Sequence, residues 1–196
     1  NDWFSTECKS LDSDDYIIST IGMMNQSYKG IDALLKSFSL VLNDNNNVRL
    51  KIAGDGELKE SYISLAIELG ISEKVEFVGR LEGREEVKAF LDTSSLFVLA
   101  SRQEGLPRVV IEAMARALPC IATSVGGIPE LISESLIVEV DDIEALSNKI
   151  ISILKPGGDY SLHSSLNLEK ARDYSYENVQ KARVLHYEYI AKRGLK

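Results

Sequence analysis

Short apolar runs alternate along this chain with longer segments of helical period, and the alternation points to an architecture before any single residue does. Tyr16-Ile-Ile-Ser-Thr-Ile-Gly22 reads as a strand. After a polar loop, Ile31, Leu34, Leu35, Phe38, Val41 and Leu42 recur at helical spacing and put one apolar stripe on a helix. Val48 to Ala53 follows as a strand, ended by a turn at Gly54-Asp-Gly56. Leu58 to Leu69 is helical and Gly70 stops it. Val75 to Val78 reads as a strand, Glu85 to Leu91 as a helix and Leu96 to Ala100 as a buried strand. A helix is entered at Pro107, where a missing N–H is harmless and the fixed φ suits the first turn. Pro119 to Ala122 is the next strand.

Beyond it, Gly126-Gly127 and Pro129 form a turn, and Leu136 to Val140 reads as a short strand. Asp141 or Asp142 caps a helix carrying Ile143, Leu146, Ile150 and Ile153. Lys155-Pro-Gly-Gly158 then breaks the chain, and His163 falls in a polar loop. Ser175 is placed to cap a last helix running to about Lys192. Strand and helix alternate at least five times with short connections, which predicts an α/β fold: a doubly wound parallel sheet with helices on both faces. In such sheets ligands bind where the strand-to-helix loops gather, at the carboxyl ends of the strands. The first fifteen residues carry no period and are expected to be irregular, residues 16–174 form the α/β unit, and residues 175–196 form a terminal helix. Asn1 is not a start residue, so a fragment of a longer protein is expected.

A chain of 196 residues suits one large domain that buries roughly 70% of its extended surface. No apolar run approaches the ~20 residues that span a bilayer and no signal peptide is visible, so a soluble protein is expected. The net charge of −8, with both signs interspersed, disfavours nucleic acid as a partner but leaves room for a small phosphate site. Cys120 lies inside an apolar strand, and with Cys8 the only other cysteine, reduced thiols and a cytoplasmic location are expected. His163 and His186 are the only histidines. They accompany no Ser or Cys nucleophile motif and give no zinc spacing with the cysteines, so no protein-bound metal is expected.

The chemistry concentrates between Ser101 and Leu131. Glu104 stands beside the helix that starts at Pro107, and Glu112 follows about one and a half turns inside it. The free N–H groups of a helix start form an anion site, and flanking carboxylates accept hydrogen bonds from hydroxyls. Phosphate and hydroxyls together describe a sugar nucleotide. A plainer account is also open: Arg108, Glu112 and Arg116 at i, i+4 and i+8 make a surface ion-pair ladder, and Glu104 is an acid favoured near a helix start. Spacing by itself favours that plainer account. Lys29-Gly30 is an ammonium delivered to a phosphate or an ordinary solvated turn, and position leaves the two even.

Glu104-Gly-Leu-Pro-Arg-Val-Val-Ile-Glu112-Ala-Met, followed by Leu118-Pro119 and Val125-Gly-Gly-Ile-Pro-Glu130, closely resembles the E-x7-E signature of retaining glycosyltransferases of family 4, which have two Rossmann-like domains (GT-B). Lys29-Gly30, Ala53-Gly-Asp-Gly56 and Phe77-Val-Gly79 fall in matching order, and the resemblance spans roughly Ile17 to Leu154. It implies that residues 16–174 are the C-terminal, donor-binding domain, that an acceptor domain precedes Asn1, and that the last helix packs back towards that domain. The implied activity is transfer of a sugar from a nucleoside-diphosphate sugar to an acceptor glycan or lipid-linked sugar in polysaccharide or glycolipid synthesis. The implied place is the cytoplasm, with peripheral contact at the inner membrane face through the missing domain. No cofactor is implied.

Carried over residue by residue, the resemblance makes Glu104 the catalytic group that approaches the donor sugar and steadies charge at its anomeric carbon. Lys29 contacts the diphosphate and Glu112 accepts from the ribose hydroxyls. Gly22 and Met23 form the loop after the first strand, and the backbone of Gly105, Leu106, Arg108 and Val109 meets sugar and phosphate. Phe77 to Arg80, with Val78 and Arg80 foremost, lie along the base, Arg80 stacking on it. Three departures stand out. Met23 occupies a place where the family commonly has Arg, so a phosphate contact is lost or is supplied by Arg80, Arg102 or Arg108. Ala117 stands where Gly is usual, and the glycine-rich turn before Leu136 is shortened. Two rivals remain: a non-catalytic partner of the same fold within a glycan assembly complex, and a sugar-nucleotide epimerase, which would need no acceptor.

Overall fold

A computed structural model describes residues 3–11 and 15–193. The parts of the expected irregular segment at 1–2 and 12–14, the end of the terminal segment at 194–196, and the expectations attached to Asn1 lie outside the described residues. Six strands, β1 (Tyr16–Ile21), β2 (Val48–Ala53), β3 (Val75–Gly79), β4 (Leu96–Leu99), β5 (Cys120–Thr123) and β6 (Ile137–Val138), form one sheet in the order β3-β2-β1-β4-β5-β6. Every pairing is parallel, as the alternation of elements predicts. Among the described residues eight α-helices connect and cover it: α1 (Ile31–Asp44), α2 (Lys59–Glu68), α3 (Gly83–Asp92), α4 (Arg108–Ala115), α5 (Ile128–Leu131), α6 (Ile143–Leu154), α7 (Tyr160–Arg172) and α8 (Tyr176–Arg193).

All four residues of β4 and of β5 are buried. Successive strand residues face opposite sides, so both faces at the sheet centre are covered, which is why these strands read as unbroken apolar runs. Helix α1 packs against α6, and Ser37 Oγ donates to the Ile143 carbonyl at 3.0 Å; α4 packs against α7. The chain order reverses between β1 and β4. Loops leaving those two strands diverge to opposite sides and leave a crevice at their carboxyl ends.

Three expectations need correction. The segment after Gly158 is not loop but helix α7, and His163 is buried within it, its pKa lowered by burial. The buried positions of α7 are Tyr160, His163, Ser164, Asn167, Leu168 and Ala171, which keep helical spacing but are mostly polar, so no apolar stripe marks the helix. Three of them serve backbone: Tyr160 Oη donates to the Ser95 carbonyl, Ser164 Oγ to Ala117 and Asn167 Nδ2 to Leu118, at 2.7, 2.8 and 2.9 Å. The last expected strand shrinks to Ile137–Val138, because Leu136 closes a 3₁₀ turn and the chain then turns at Asp141. The turn at Gly126 to Pro129 continues into the short helix α5, with Pro129 in its first turn.

Other signals were read correctly. Asp142 caps α6, its Oδ1 accepting from the Ala145 N–H at 2.9 Å, and Ser175 Oγ accepts from the Asn178 N–H at 3.3 Å at the start of α8. Ala117 does adopt the left-handed backbone expected of a glycine there, at φ 57°, and the two carbonyls that Ser164 and Asn167 engage belong to it and to the next residue. The irregular N-terminal segment is tied down: Lys9 Nζ donates to the carbonyls of Leu91, Asp92 and Ser94, at the end of α3, and Arg116 Nη1 donates to the Trp3 carbonyl. Among the described residues no helix is long and apolar enough to cross a membrane.

Candidate functional site

At the carboxyl ends of β1 and β4, on either side of the reversal, lies an open cleft of about 490 Å³. Gly22, Met23, Tyr28 and Lys29 reach it from the β1–α1 loop, Gly54 from the end of β2, and Arg80 and Leu81 from the β3–α3 loop. Glu104, Leu106, Pro107, Arg108, Val109 and Glu112 enter from the β4–α4 loop and α4. Segments far apart in sequence meet here because parallel strands deliver all their outgoing loops to one edge.

The two acidic residues and the lysine do converge. Lys29 Nζ lies 2.7 Å from Glu104 Oε1, and both side chains are largely buried, at 17% and 10% exposure. The same oxygen accepts from Ser101 Oγ at 2.7 Å. Lys29 Nζ also sits 5.2 Å from the Tyr28 ring centroid, a cation–π contact. The β5–α5 loop braces this arrangement, the Gly127 N–H donating to the Gly105 carbonyl at 2.7 Å. Thr123 Oγ1 donates to the Ser101 carbonyl from the end of β5.

Helix α4 has no side-chain cap, Pro107 at its N-cap has no N–H, and Arg108 and Val109, which carry the first donors of the helix, line the cleft with Glu104. Glu112 is half-buried. Burial raises its carboxyl above the ordinary glutamate range, and the charges of Arg108 and Arg84 offset this only in part. The expected ladder does not run on through Arg116, whose Nε donates to Asp92 Oδ1 at 2.6 Å. A neighbouring cleft, walled by Trp3, Phe4, Tyr174 and Arg183 among others, shares Leu106, Arg108 and Glu112 with the first.

Two sequence-derived candidates fall away from the cleft walls. Val78 sits half-exposed on β3, an edge strand of the sheet, and does not line the cleft. Gly105 contributes its position in the loop and its bond to Gly127, but is not a lining residue. Arg102 is no stand-in for the arginine that Met23 replaces: its guanidinium is engaged with Asp32, Asp141 and the Ser27 carbonyl outside the cleft. Arg80 and Arg108 do face the cleft beside Met23, which is 46% exposed there. Tyr28, Ser101 and Leu81 were missed in the sequence. Only Ser101 left a trace, three residues before Glu104.

The family profile described as glycosyl transferases, group 1, matches residues 3–174. The chain belongs to this family. Among curated relatives, N-acetyl-alpha-D-glucosaminyl L-malate synthase of Bacillus anthracis is 31% identical over 166 residues, covering 83% of this chain and 42% of that protein. The chain spans less than half the length of the first curated relatives it matches. Among solved structures, the C-terminal domain of a glycosyl transferase group 1 family protein from Francisella tularensis matches with a TM-score of 0.74 at 19% identity, covering 82% of this chain and 87% of that one. The pneumococcal O-GlcNAc transferase GtfA, solved with UDP and GlcNAc, matches with a TM-score of 0.80 at 16% identity, covering 96% of this chain and 38% of that one. At those identities the two structures show a shared fold.

Proposed function

We propose that this chain is the donor-binding domain of a retaining, family 4 glycosyltransferase of the GT-B architecture, which moves a sugar from a nucleoside-diphosphate sugar to an acceptor glycan or lipid-linked sugar. The observation that carries this reading is the convergence of Lys29, Glu104, Glu112 and the uncapped start of α4 on one cleft at the reversal of the sheet. Lys29 and the N–H groups of Arg108 and Val109 receive the diphosphate. Glu112 accepts from the ribose hydroxyls, and Glu104 faces the sugar. In this reading the base lies along Arg80 and Leu81, which line the cleft from the β3–α3 loop.

The reaction breaks the bond between the anomeric carbon and a phosphate oxygen, leaving negative charge on the phosphate and partial positive charge on the sugar. A buried ammonium and fixed N–H dipoles stabilise the first, and a carboxylate the second, without solvent having to reorganise. The acceptor oxygen bonds to the same face of the anomeric carbon and its proton passes to the departing phosphate. In this reading no metal or cofactor takes part, the acceptor is held by a domain that precedes this one, and the protein works in the cytoplasm in polysaccharide or glycolipid synthesis.

Calorimetric titration with UDP, GDP and ADP tests the donor site directly. At least one is expected to bind, and Glu112→Gln to weaken it about tenfold, the loss of one charge-assisted hydrogen bond. No heat from any of the three at millimolar ligand overturns the reading. A pH series supplies a second check. Because the folded pKa of Glu112 is raised, its carboxyl protonates at higher pH than an ordinary glutamate and then accepts poorly from hydroxyls. Affinity for a nucleotide sugar, whose diphosphate has no secondary ionisation near neutrality, is therefore expected to fall as pH drops through that raised pKa, and Glu112→Gln to flatten the curve. The contribution of this group to fold stability has the opposite sign: it is fully present below the unfolded pKa and lost as pH rises through the folded one.

Met23 in the cleft favours one rival, a non-catalytic partner domain of the same fold. Sugar transfer by the longer protein that is abolished by Glu104→Ala would eliminate it.

A further inference from the structure

Beside the cleft, but outside it, Arg102 makes a dense polar junction. Its Nη1 and Nη2 donate to the two oxygens of Asp32 at 2.9 and 2.8 Å. On its other edge Nε donates to Asp141 Oδ2 at 3.0 Å, and Nη2 lies 2.7 Å from Asp141 Oδ1. Nη1 also donates to the Ser27 carbonyl at 2.6 Å, and the Arg102 backbone N–H donates to the Tyr28 carbonyl at 2.7 Å. The guanidinium thus makes four hydrogen bonds and a further close ion-pair contact, which its planar fork allows between two carboxylates.

The junction ties two of the loops that line the cleft to two segments behind it. Ser27 and Tyr28 belong to the 3₁₀ turn Ser27–Lys29 that ends in Lys29, and Asp32 lies in the first turn of α1. Asp141 is the left-handed residue, φ 60°, before α6, and Arg102 itself is two residues ahead of Glu104 in the β4–α4 loop. The guanidinium therefore grips the Ser27 carbonyl, and the Arg102 backbone N–H the Tyr28 carbonyl, just ahead of Lys29, while the same loop carries Glu104, whose carboxylate Lys29 meets at 2.7 Å. We propose that Arg102 is a positioning residue: by bracing the Ser27–Lys29 turn against Asp32 and Asp141 it holds the Lys29 ammonium where the donor's second phosphate must lie. Glu104 faces the sugar, and the sugar is esterified to that second phosphate, so the lysine beside Glu104 serves it and not the first.

This inference rests on the donor-site reading above, and the test separates the two. Affinities of the 196-residue chain are measured by calorimetry for whichever of UDP, GDP and ADP binds, and for the matching nucleoside monophosphate. Arg102→Gln is expected to lower diphosphate affinity about tenfold and monophosphate affinity less than twofold, a selectivity that general loosening of the fold would not produce. Asp141→Asn keeps the side-chain shape and tolerates the left-handed backbone. It is expected to give a smaller loss, about threefold, again confined to the diphosphate, and it carries the test alone if Arg102→Gln does not fold. Equal losses for both ligands, or diphosphate affinity within twofold of wild type in the folded variants, overturn the positioning role and leave the donor site standing. A wild-type chain that binds none of the nucleotides overturns both.

Discussion

Lys29→Met is expected to weaken nucleoside-diphosphate binding by about a hundredfold, the largest functional effect of any single side chain in the cleft. Two losses add. A hydrogen bond from an ammonium to phosphate contributes about 1.5–3 kcal/mol, which alone is roughly a ten- to hundredfold change in affinity. The second loss comes from Glu104, whose Oε1 would keep only the Ser101 hydroxyl and would face the incoming phosphate as an uncompensated, largely buried negative charge. Met keeps the aliphatic stem that lies over Gly22, so packing changes little. Lys29→Arg is expected to recover part of the affinity, since charge is restored but the single-point contact with Glu104 is not. Calorimetry with the nucleotide that binds wild type, and circular dichroism to confirm folding, check this. An affinity within threefold of wild type would remove Lys29 from the donor site.

Gly30→Ala is expected to be the most damaging change to the fold, lowering stability by 4 kcal/mol or more, about 8–16 °C in melting temperature for a chain of this size. Gly30 has φ 64° and links the turn bearing Lys29 to α1. A Cβ there would lie well inside the contact radius of the Ala100 carbonyl oxygen and carbon, which are backbone at the end of β4 and have no rotamer to escape into. The β1–α1 and β4–α4 loops would have to separate, parting Lys29 from Glu104. Gly70→Ala makes the control: its φ is 70°, but nothing lies within 4 Å of the added methyl, so only the backbone term of about 1–2 kcal/mol applies. Thermal melts of the two variants read the difference. Equal melting temperatures would mean that the close approach of Gly30 to Ala100 is not rigid.

Read from the sequence, the fold was nearly complete, because the parallel sheet writes its own pattern. Strands buried on both faces are apolar throughout, as at Leu96–Leu99 and Cys120–Thr123, and helices with one buried side keep a stripe, as α1 does. The signal failed where burial is polar. Helix α7 spends its inward face on hydrogen bonds from Tyr160, Ser164 and Asn167 to carbonyls of other segments, and a carbonyl 47 to 65 residues away leaves no mark beside the residue that binds it. The same blindness hid Ser101 behind Glu104 and the pairing of Arg102 with Asp141, thirty-nine residues apart.

What the sequence determined by itself was therefore local: which segments are strands and helices, the caps at Asp142 and Ser175, and that acids, a lysine and an open helix start occur in a suggestive order. Whether Glu112 was half of a surface ladder, and whether Arg102 pointed at a phosphate or away from one, spacing left open. Only the tertiary structure decided these, by turning Arg116 to Asp92, closing Arg102 between Asp32 and Asp141, and bringing Lys29 within 2.7 Å of a carboxylate seventy-five residues on. The physical reason is that periodicity records the solvent on each side of one element, whereas a binding cleft is made by the separation between elements, which is fixed by strand order and by close approaches such as Gly30 against Ala100.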